Sequence, residues 1–273
     1  MAPVAARPPE RILNVGPSPR REDDHTPAAA EAAGHLQRRE PPERLDLRAP
    51  WYTVGDQGPT GSCVGWALAD SVMWPQLVRA GRLGETERLS PRFMWMAAKE
   101  TRAKLTEVQG EPAWHPTTFL ERGMTDVKSA LDVARLFGAA LEEDLHWQGR
   151  LYPGDIERFY GAAAERRITH YYRLDPEPDP ARWFGQWRRW MHQQGPVLIV
   201  LGVDRQFESG APLLERFDAG STAFKHAAAL TGYGPGGFLV RCSWGEDWGE
   251  DGYAVATEAY LAQATVESYG VVI

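Results

Sequence analysis

The chain has 273 residues, of which 43% are hydrophobic and 25% charged, with a formal net charge of −7 and two cysteines. This length is enough for one large domain or two small ones with a buried core. Two cysteines form at most one disulfide, which excludes a disulfide-stapled secreted scaffold, and the negative charge disfavours a nucleic-acid surface. The sequence has no run of 18 apolar residues, and its start lacks the apolar core of a secretory signal. We therefore expect a globular, cytoplasmic protein without a nucleic-acid or membrane partner.

Residues 1–43 differ in composition from the rest of the chain. They contain 8 of the 21 prolines and no aromatic residue. Such a segment buries too little apolar surface to offset its loss of conformational entropy, so we predict a disordered tail followed by one domain over residues 44–273. The alanine-rich stretch 28–33 favours a short helix that Gly34 would end. The alternative to a solvated tail is a segment that docks on the chain's own cleft or on a partner, since disordered segments fold on binding.

The first half of the domain is predicted to be mainly helical. Apolar residues recur at helical spacing after a Gly- and Pro-rich loop at 55–61. Ser90 precedes a proline and is a candidate helix cap, and Thr125 is another. The predicted helices cover residues 63–79, 91–99 and 125–137.

The second half changes to the two-residue period that is typical of strands. The predicted strands cover residues 168–174, 197–203, 227–233, 237–241 and 252–256, and a helix is predicted over 180–194. Helices in the first half of a domain and antiparallel strands in the second half are typical of an α+β fold. We expect two lobes with a cleft between them, the left lobe helical and the right lobe an antiparallel, barrel-like sheet.

Cys63 stands where a glycine-bearing loop meets the start of a predicted helix. The unpaired N–H groups of a helix N-terminus favour an anion, so a thiolate is stabilised there. The same groups can hold a developing oxyanion, and the side chain of Gln57 supplies a further amide donor. A small buried cysteine is the alternative, and the local sequence alone does not choose between the two.

Three separated blocks of sequence resemble those of the papain-like cysteine peptidases. They are QGPTGSC at 57–63, KHAAALTGYG at 225–234 and SWGEDWGEDGY at 243–253, in the order that the family has them. The resemblance covers roughly residues 44–273. It implies a two-lobed papain-like fold and a bacterial-type cysteine peptidase without the long pro-domain of the secreted members. The excess of arginine over lysine, 26 against 4, suggests a GC-rich genome.

The resemblance also implies a role for individual residues. Cys63 would be the nucleophile and His226 its general base and acid, while Gln57 and the backbone N–H of Cys63 would form the oxyanion hole. The implied reaction is hydrolysis of a peptide or isopeptide bond through a Cys63 acyl-enzyme, or transpeptidation if an amine resolves it. The substrate would be a peptide or protein, and neither a cofactor nor a metal is required. Residues predicted to contact substrate are Gly61, Ser62, Gly123, Met124, Lys225, Ala227 and Trp244, the last also shielding the imidazole from water.

One position departs from the family pattern. The family's orienting asparagine falls directly before the Ser-Trp-Gly turn, where this chain has Cys242, and its only asparagine is Asn14. A thiol accepts the imidazole N–H more weakly than an amide oxygen does. Three interpretations stay open: a slower enzyme, a redox-gated pair of Cys63 and Cys242, or a zinc site formed by these two cysteines and His226. The competing class of function is a catalytically impaired papain-like protein that binds peptides or regulates a partner.

Overall fold

The fold combines a layer of helices from the first half of the domain with a large sheet from the second half. The computed structural model describes residues 15–107, 125–147, 154–175, 177–222 and 224–273. The helices are α1 (Pro27–Ala32), α2 (Cys63–Gly65), α3 (Trp74–Arg79), α4 (Pro91–Glu107), α5 (Val127–Leu136), α6 (Ile156–Ala164), α7 (Pro180–Gln193), α8 (Arg205–Glu208) and α9 (Glu258–Ala264). The strands are β1 (Leu45–Asp46), β2 (His170–Arg173), β3 (Val197–Val203), β4 (Leu213–Leu214), β5 (Phe224–Gly234), β6 (Gly237–Arg241), β7 (Tyr253–Ala256) and β8 (Thr265–Val272). Among the described residues, no helix is both long and apolar enough to cross a membrane.

The helix predicted over 63–79 is confirmed, and it has an unusual middle part. A π-helical stretch (Trp66–Met73) joins α2 to α3 without a break. Pro75 has no N–H with which to pair the carbonyl of Ser71, and the Tyr52 hydroxyl donates to that carbonyl instead. The whole run is buried as far as Leu77 and packs between α4 and β5. The residue that begins it, Cys63, is therefore fixed between the helical layer and the sheet.

Capping side chains set the starts of the other predicted helices. The Ser90 hydroxyl accepts the N–H of Phe93 at 3.1 Å, as predicted, although α4 continues beyond the predicted end. The third predicted helix begins later than expected, because Asp126 rather than Thr125 caps α5. The Asp126 carboxylate accepts the N–H of Ser129 at 2.8 Å.

The sheet has the strand order β2-β8-β3-β5-β6-β7-β4, and β1 pairs with β5. Its neighbouring strands are antiparallel except for the β4–β7 pair. β3 is buried along its whole length and lies between β8 and β5. Because side chains alternate across a strand, Leu198 and Val200 face the core shared with the helical layer, whereas Ile199 and Leu201 face the core under α7. The expected α+β architecture is confirmed.

The structure differs from the predicted disordered tail over residues 15–43. Ala30 and Leu36 are buried in the core that contains Tyr172 and Trp190, and α1 packs against β2. The composition of residues 15–43 reflects only the apolar surface that the segment itself provides. Here small and aliphatic side chains cover aromatic surface that belongs to the sheet and α7, and this burial offsets the ordering entropy. Residues 1–14 lie outside the described part, so the disorder of those residues and the boundary at 44 stay predictions.

Candidate active site

Cys63 is the first residue of α2, at the end of the 55–61 loop, as the sequence indicated. The helix approaches its neighbour closely at Gly65, where an added Cβ would lie 2.3 Å from the carbonyl oxygen of Pro91. Glycine is required there because any side chain would push α4 away. The first turn of the helix, with its unpaired N–H groups, is thereby held in the interior of the protein next to β5.

Gln57 joins the 55–61 loop before Cys63 to the turn that follows Cys242. Its backbone N–H donates to the carbonyl of Ser243 at 2.8 Å, and its side-chain oxygen accepts from the Ser243 hydroxyl at 2.7 Å. The side-chain amide donates to the carbonyl of Thr60 at 2.7 Å. A primary amide carries two hydrogens, so the bond to Thr60 uses only one of its two donors. The loop and the turn are separated by almost 190 positions, and these bonds bring the first and third sequence blocks together.

His226 lies on β5, opposite Leu201 of β3, and is completely buried. Its Nε2 is 3.3 Å from the sulfur of Cys242. The contact with Cys242 therefore involves Nε2 and not Nδ1. The ring of Trp244 packs against the imidazole, with centroids 4.9 Å apart and the planes tilted by 56°. That it shields the imidazole from water stays a prediction.

Phe207 is a neighbour of the imidazole that the sequence analysis missed. Its ring centroid is 5.6 Å from that of His226 and 5.3 Å from that of Trp244. It lies on α8, a one-turn helix capped by Asp204. Nothing in the local sequence marks it, because its position follows from how α8 folds back over the sheet. Aromatic rings on the imidazole exclude water and limit its rotation.

A buried arginine anchors the strand end that carries Cys242. Arg241 pairs with Asp70 of the π-helical stretch at 2.6 Å, and it also donates to Ser71, Tyr253 and the backbone carbonyls of residues 52 and 53. Burial alone would lower the pKa of Arg241, but the nearby Tyr52 and Asp70 outweigh it, and the pKa lies above its usual value. This cation ties β6 to the helix that begins with Cys63, in addition to the hydrogen bonds between Gln57 and Ser243.

The predicted substrate-contacting residues fall into two groups. Lys225 and Ala227 flank His226 on β5, and Gly61 and Ser62 directly precede Cys63. The Ser62 hydroxyl is 2.6 Å from that of Thr60. Gly123 and Met124 lie outside the described residues, so their predicted role stays a prediction.

The four residues are buried, and the two cysteines are separate thiols. Cys63, Gln57, His226 and Cys242 are at most 1% exposed. In the part of the chain that the structure describes, no three His, Cys, Asp or Glu side chains are arranged to hold a metal ion. The zinc interpretation therefore has no support in the geometry.

Comparison with known proteins identifies the family that this arrangement resembles. The model of the family described as "Papain family cysteine protease" matches residues 164–272. Papain from Carica papaya is 46% identical over 83 residues, which cover 28% of this chain and 21% of that protein. The resemblance to the papain-like cysteine peptidases is confirmed. The matched segment spans about a fifth of the length of this curated relative.

Solved structures show the same fold. Xylellain, a cysteine protease from Xylella fastidiosa, superposes with a TM-score of 0.74 at 18% identity, over 98% of both chains. ProCathepsin B S9 from Trypanosoma congolense superposes with a TM-score of 0.68 at 16% identity, over 96% of this chain and 86% of that one. Procathepsin L2 from Tenebrio molitor larval midgut superposes with a TM-score of 0.68 at 18% identity, over 97% of this chain and 78% of that one. The chain thus has the papain-like fold.

Proposed function

We propose that the protein is a cysteine peptidase that cleaves peptide or isopeptide bonds in protein substrates through a Cys63 acyl-enzyme. The observation that carries the proposal is the set of contacts around His226. Cys242 lies 3.3 Å from Nε2, Trp244 packs against the ring, and the strand that carries His226 packs against the helix that begins with Cys63. A thiolate at a helix N-terminus beside an imidazolium is the arrangement that activates a cysteine nucleophile.

In the proposed reaction the Cys63 thiolate attacks the carbonyl carbon, and the oxyanion that forms is held by the backbone N–H of Cys63 and the amide of Gln57. The imidazolium of His226 gives its proton to the leaving amine as the C–N bond breaks. The neutral imidazole then takes a proton from water, whose oxygen attacks the thioester and releases the acid and Cys63. If an amine takes the place of water, the same intermediate gives transpeptidation.

Cys242 sets the expected strength of this chemistry. A thiol is a weak acceptor, so it holds the tautomer and orientation of His226 less firmly than an amide oxygen would. We infer a working but slowed peptidase. The second candidate is a papain-like protein that binds peptides without efficient turnover, which the weak acceptor and the complete burial of Cys63 both favour.

We also propose that the protein acts in the bacterial cytoplasm. Support comes from its two separate thiols and from the arginine-rich composition. Detection of the protein in fractionated cells, with its thiols alkylated before lysis, tests this proposal.

An epoxide or vinyl-sulfone peptide probe separates the two candidate functions. A peptidase is labelled at Cys63, releases fluorophore from a peptide amide, and loses both properties in the Cys63→Ala variant. A binding protein shows neither labelling nor release, while Cys63→Ala binds peptide as the wild type does. A melting curve for Cys63→Ala serves as the folding control.

A further inference from the structure

Asp204 is a buried carboxylate that the proposed reaction does not use. It directly follows β3, is completely buried, and accepts three hydrogen bonds from three different segments. One of its oxygens accepts the N–H of Phe207 on α8 at 3.0 Å and the hydroxyl of Tyr260 on α9 at 2.9 Å. The other oxygen accepts the N–H of Asp218 at 3.0 Å. Asp218 lies in the loop before β5, so Asp204 joins α8 and α9 to the entrance of the strand that carries His226.

Tyr260 supplies the side-chain donor among these three. The residue is completely buried, and its ring packs against Phe217 with centroids 5.5 Å apart. Burial and the hydrogen bond to Asp204 raise the pKa of Tyr260, so the phenol keeps its proton and donates to the carboxylate. A hydrogen bond to a carboxylate is stronger than one between neutral groups, and a buried carboxylate that loses a donor is costly. Loss of the Tyr260 hydroxyl therefore disturbs Asp204 and the segments that it joins.

The helix α8 depends on this cap. It has only four residues, too few to keep a helical shape without contacts from outside. Asp204 fixes its first turn, and the indole N–H of Trp248 donates to the carbonyl of Phe207 at 2.8 Å. The ring of Phe207 lies 5.6 Å from that of His226 between centroids. The placement of this ring against the imidazole thus follows from how α8 is held.

The imidazole of His226 needs this packing because its polar partner is weak. Its Nε2 contacts the sulfur of Cys242 at 3.3 Å, and a thiol accepts a hydrogen bond less well than an amide oxygen does. The rings of Phe207 and Trp244 pack against the same imidazole. Rings in contact limit the rotation of the imidazole, so its orientation depends on them more than it would beside a strong acceptor.

We propose that Asp204 and Tyr260 are positioning residues for the proposed reaction, and that they act through Phe207 on the orientation of the His226 imidazole. Tyr260 holds Asp204, Asp204 caps α8, and α8 places the ring of Phe207. An imidazolium stabilises a cysteine thiolate only when it is suitably oriented, so a more mobile ring weakens the ion pair of the two groups. This inference rests on the proposed peptidase function, since it names further residues of the same reaction.

Removal of one hydroxyl group tests the proposal. Tyr260→Phe keeps the aromatic ring and loses the hydrogen bond to Asp204. We expect kcat for peptide hydrolysis to fall roughly 3- to 10-fold with little change in KM, which is the effect of one hydrogen bond on a rate. The rate of Cys63 alkylation by iodoacetamide, measured against pH, reports the thiolate. Its profile should move up by about 0.5–1 pH unit, because the thiolate with a less firmly oriented imidazolium forms at a higher pH.

Tyr171→Phe is the matched control. Tyr171 lies on β2, and its hydroxyl donates to a carboxylate oxygen of Asp132 at 2.9 Å, the same kind of bond at the same distance. We expect this variant to keep the wild-type kcat and the wild-type alkylation profile. Equal changes in the two variants, or no change in the alkylation profile of Tyr260→Phe, overturn the inference.

A second substitution shows whether the effect passes through Phe207. Phe207→Leu removes the ring and should move the alkylation profile in the same direction as Tyr260→Phe does. In the Phe207→Leu background Tyr260→Phe should cause no further shift, because the ring that Tyr260 helps to place is absent. A full additional shift overturns the inference. Melting curves show whether each variant is folded, and the comparison of Tyr260→Phe with Tyr171→Phe decides the matter if Phe207→Leu is not.

The alkylation measurement needs no turnover, so it separates this inference from the peptidase proposal. An unchanged profile in Tyr260→Phe, beside a wild type that cleaves peptides, overturns only the positioning role. Failure of the wild type to cleave any peptide and to be labelled at Cys63 by a peptide probe overturns the peptidase proposal itself.

Discussion

Replacing Cys242 with asparagine tests how the imidazole is held. In the structure the Cys242 sulfur is 3.3 Å from His226 Nε2. An asparagine oxygen reaches roughly half an ångström further from Cβ than a sulfur does, given ordinary C–C and C=O bond lengths. The N···O distance would then be about 2.8 Å, close to that of a good N–H···O bond. The exchange therefore converts a weak contact into a full hydrogen bond.

The expected increase in rate follows from the free energy that this hydrogen bond contributes. A neutral hydrogen bond contributes about 0.5–1.5 kcal/mol, which corresponds to roughly a 2- to 10-fold higher rate if it favours the transition state. Cys242 is 1% exposed and packed in the core with Phe207 and Trp244, so the larger side chain also costs about 1–3 kcal/mol of stability. We expect Cys242→Asn to be faster in kcat/KM and lower in melting temperature.

Two assays separate orientation from packing. Peptide hydrolysis gives kcat/KM, and the rate of Cys63 alkylation by iodoacetamide as a function of pH reports the thiolate. Cys242→Ala removes the acceptor without adding volume, so it lowers kcat/KM and shifts the alkylation profile opposite to Cys242→Asn. The reasoning is refuted if the Asn and Ala variants, both folded, match the wild type in rate and alkylation profile. A lower kcat/KM in Cys242→Asn together with an unchanged kcat/KM in Cys242→Ala would also refute the reasoning.

Three further predictions concern the surroundings of the site. Arg241→Met leaves Asp70 buried with fewer donors, so we expect a loss of about 3–5 kcal/mol in the free energy of unfolding by urea titration. Gly65→Ala forces a Cβ against the backbone of α4 and costs about 1–3 kcal/mol in the same titration, whereas Gly161→Ala, with open space around it, costs nothing. Burial raises the pKa of Glu142, so the protonated side chain stabilises the fold at low pH and this contribution is lost as pH rises through the raised pKa. Glu142→Gln cannot ionise at this position, so its free energy of unfolding should rise relative to that of the wild type between pH 4 and pH 7. If the difference in free energy of unfolding between the two proteins does not change with pH, the pKa of Glu142 is not raised by burial.

The sequence predicted the elements that have strong periodicity or clear caps. The run 63–79 and the strands β3 and β6 begin and end where the pattern placed them. Apolar residues recur at helical spacing in the first, and the two strands are short, mainly apolar runs that follow Gly or Pro. β8, which pairs with both β2 and β3, was missed. Its 265–272 segment contains Glu267 and Ser268 at buried positions, and a buried polar residue hides the alternation that reveals a strand.

For the site, the motifs indicated Cys63, His226 and the turn after Cys242 as candidates, and the structure shows how the segments that carry them are assembled. The Arg241–Asp70 pair and Phe207 were not predictable, since each joins segments that are distant in sequence and neither lies in a local pattern. The order of residues 15–43 was not predictable for a related reason. This segment is stabilised by packing on surfaces of β2 and α7, and the composition of the segment alone does not show those surfaces.

Cys242 affects the chemistry of the proposed reaction and not the access of substrate, because it controls how firmly His226 is held once a substrate is bound. Cys242→Asn should therefore change the pH profile of Cys63 alkylation, and it should change kcat/KM by the same factor for peptides of different sequence. If the change in kcat/KM instead depends on the peptide, Cys242 also affects how the substrate is bound, and its assignment as a positioning residue for His226 alone is wrong.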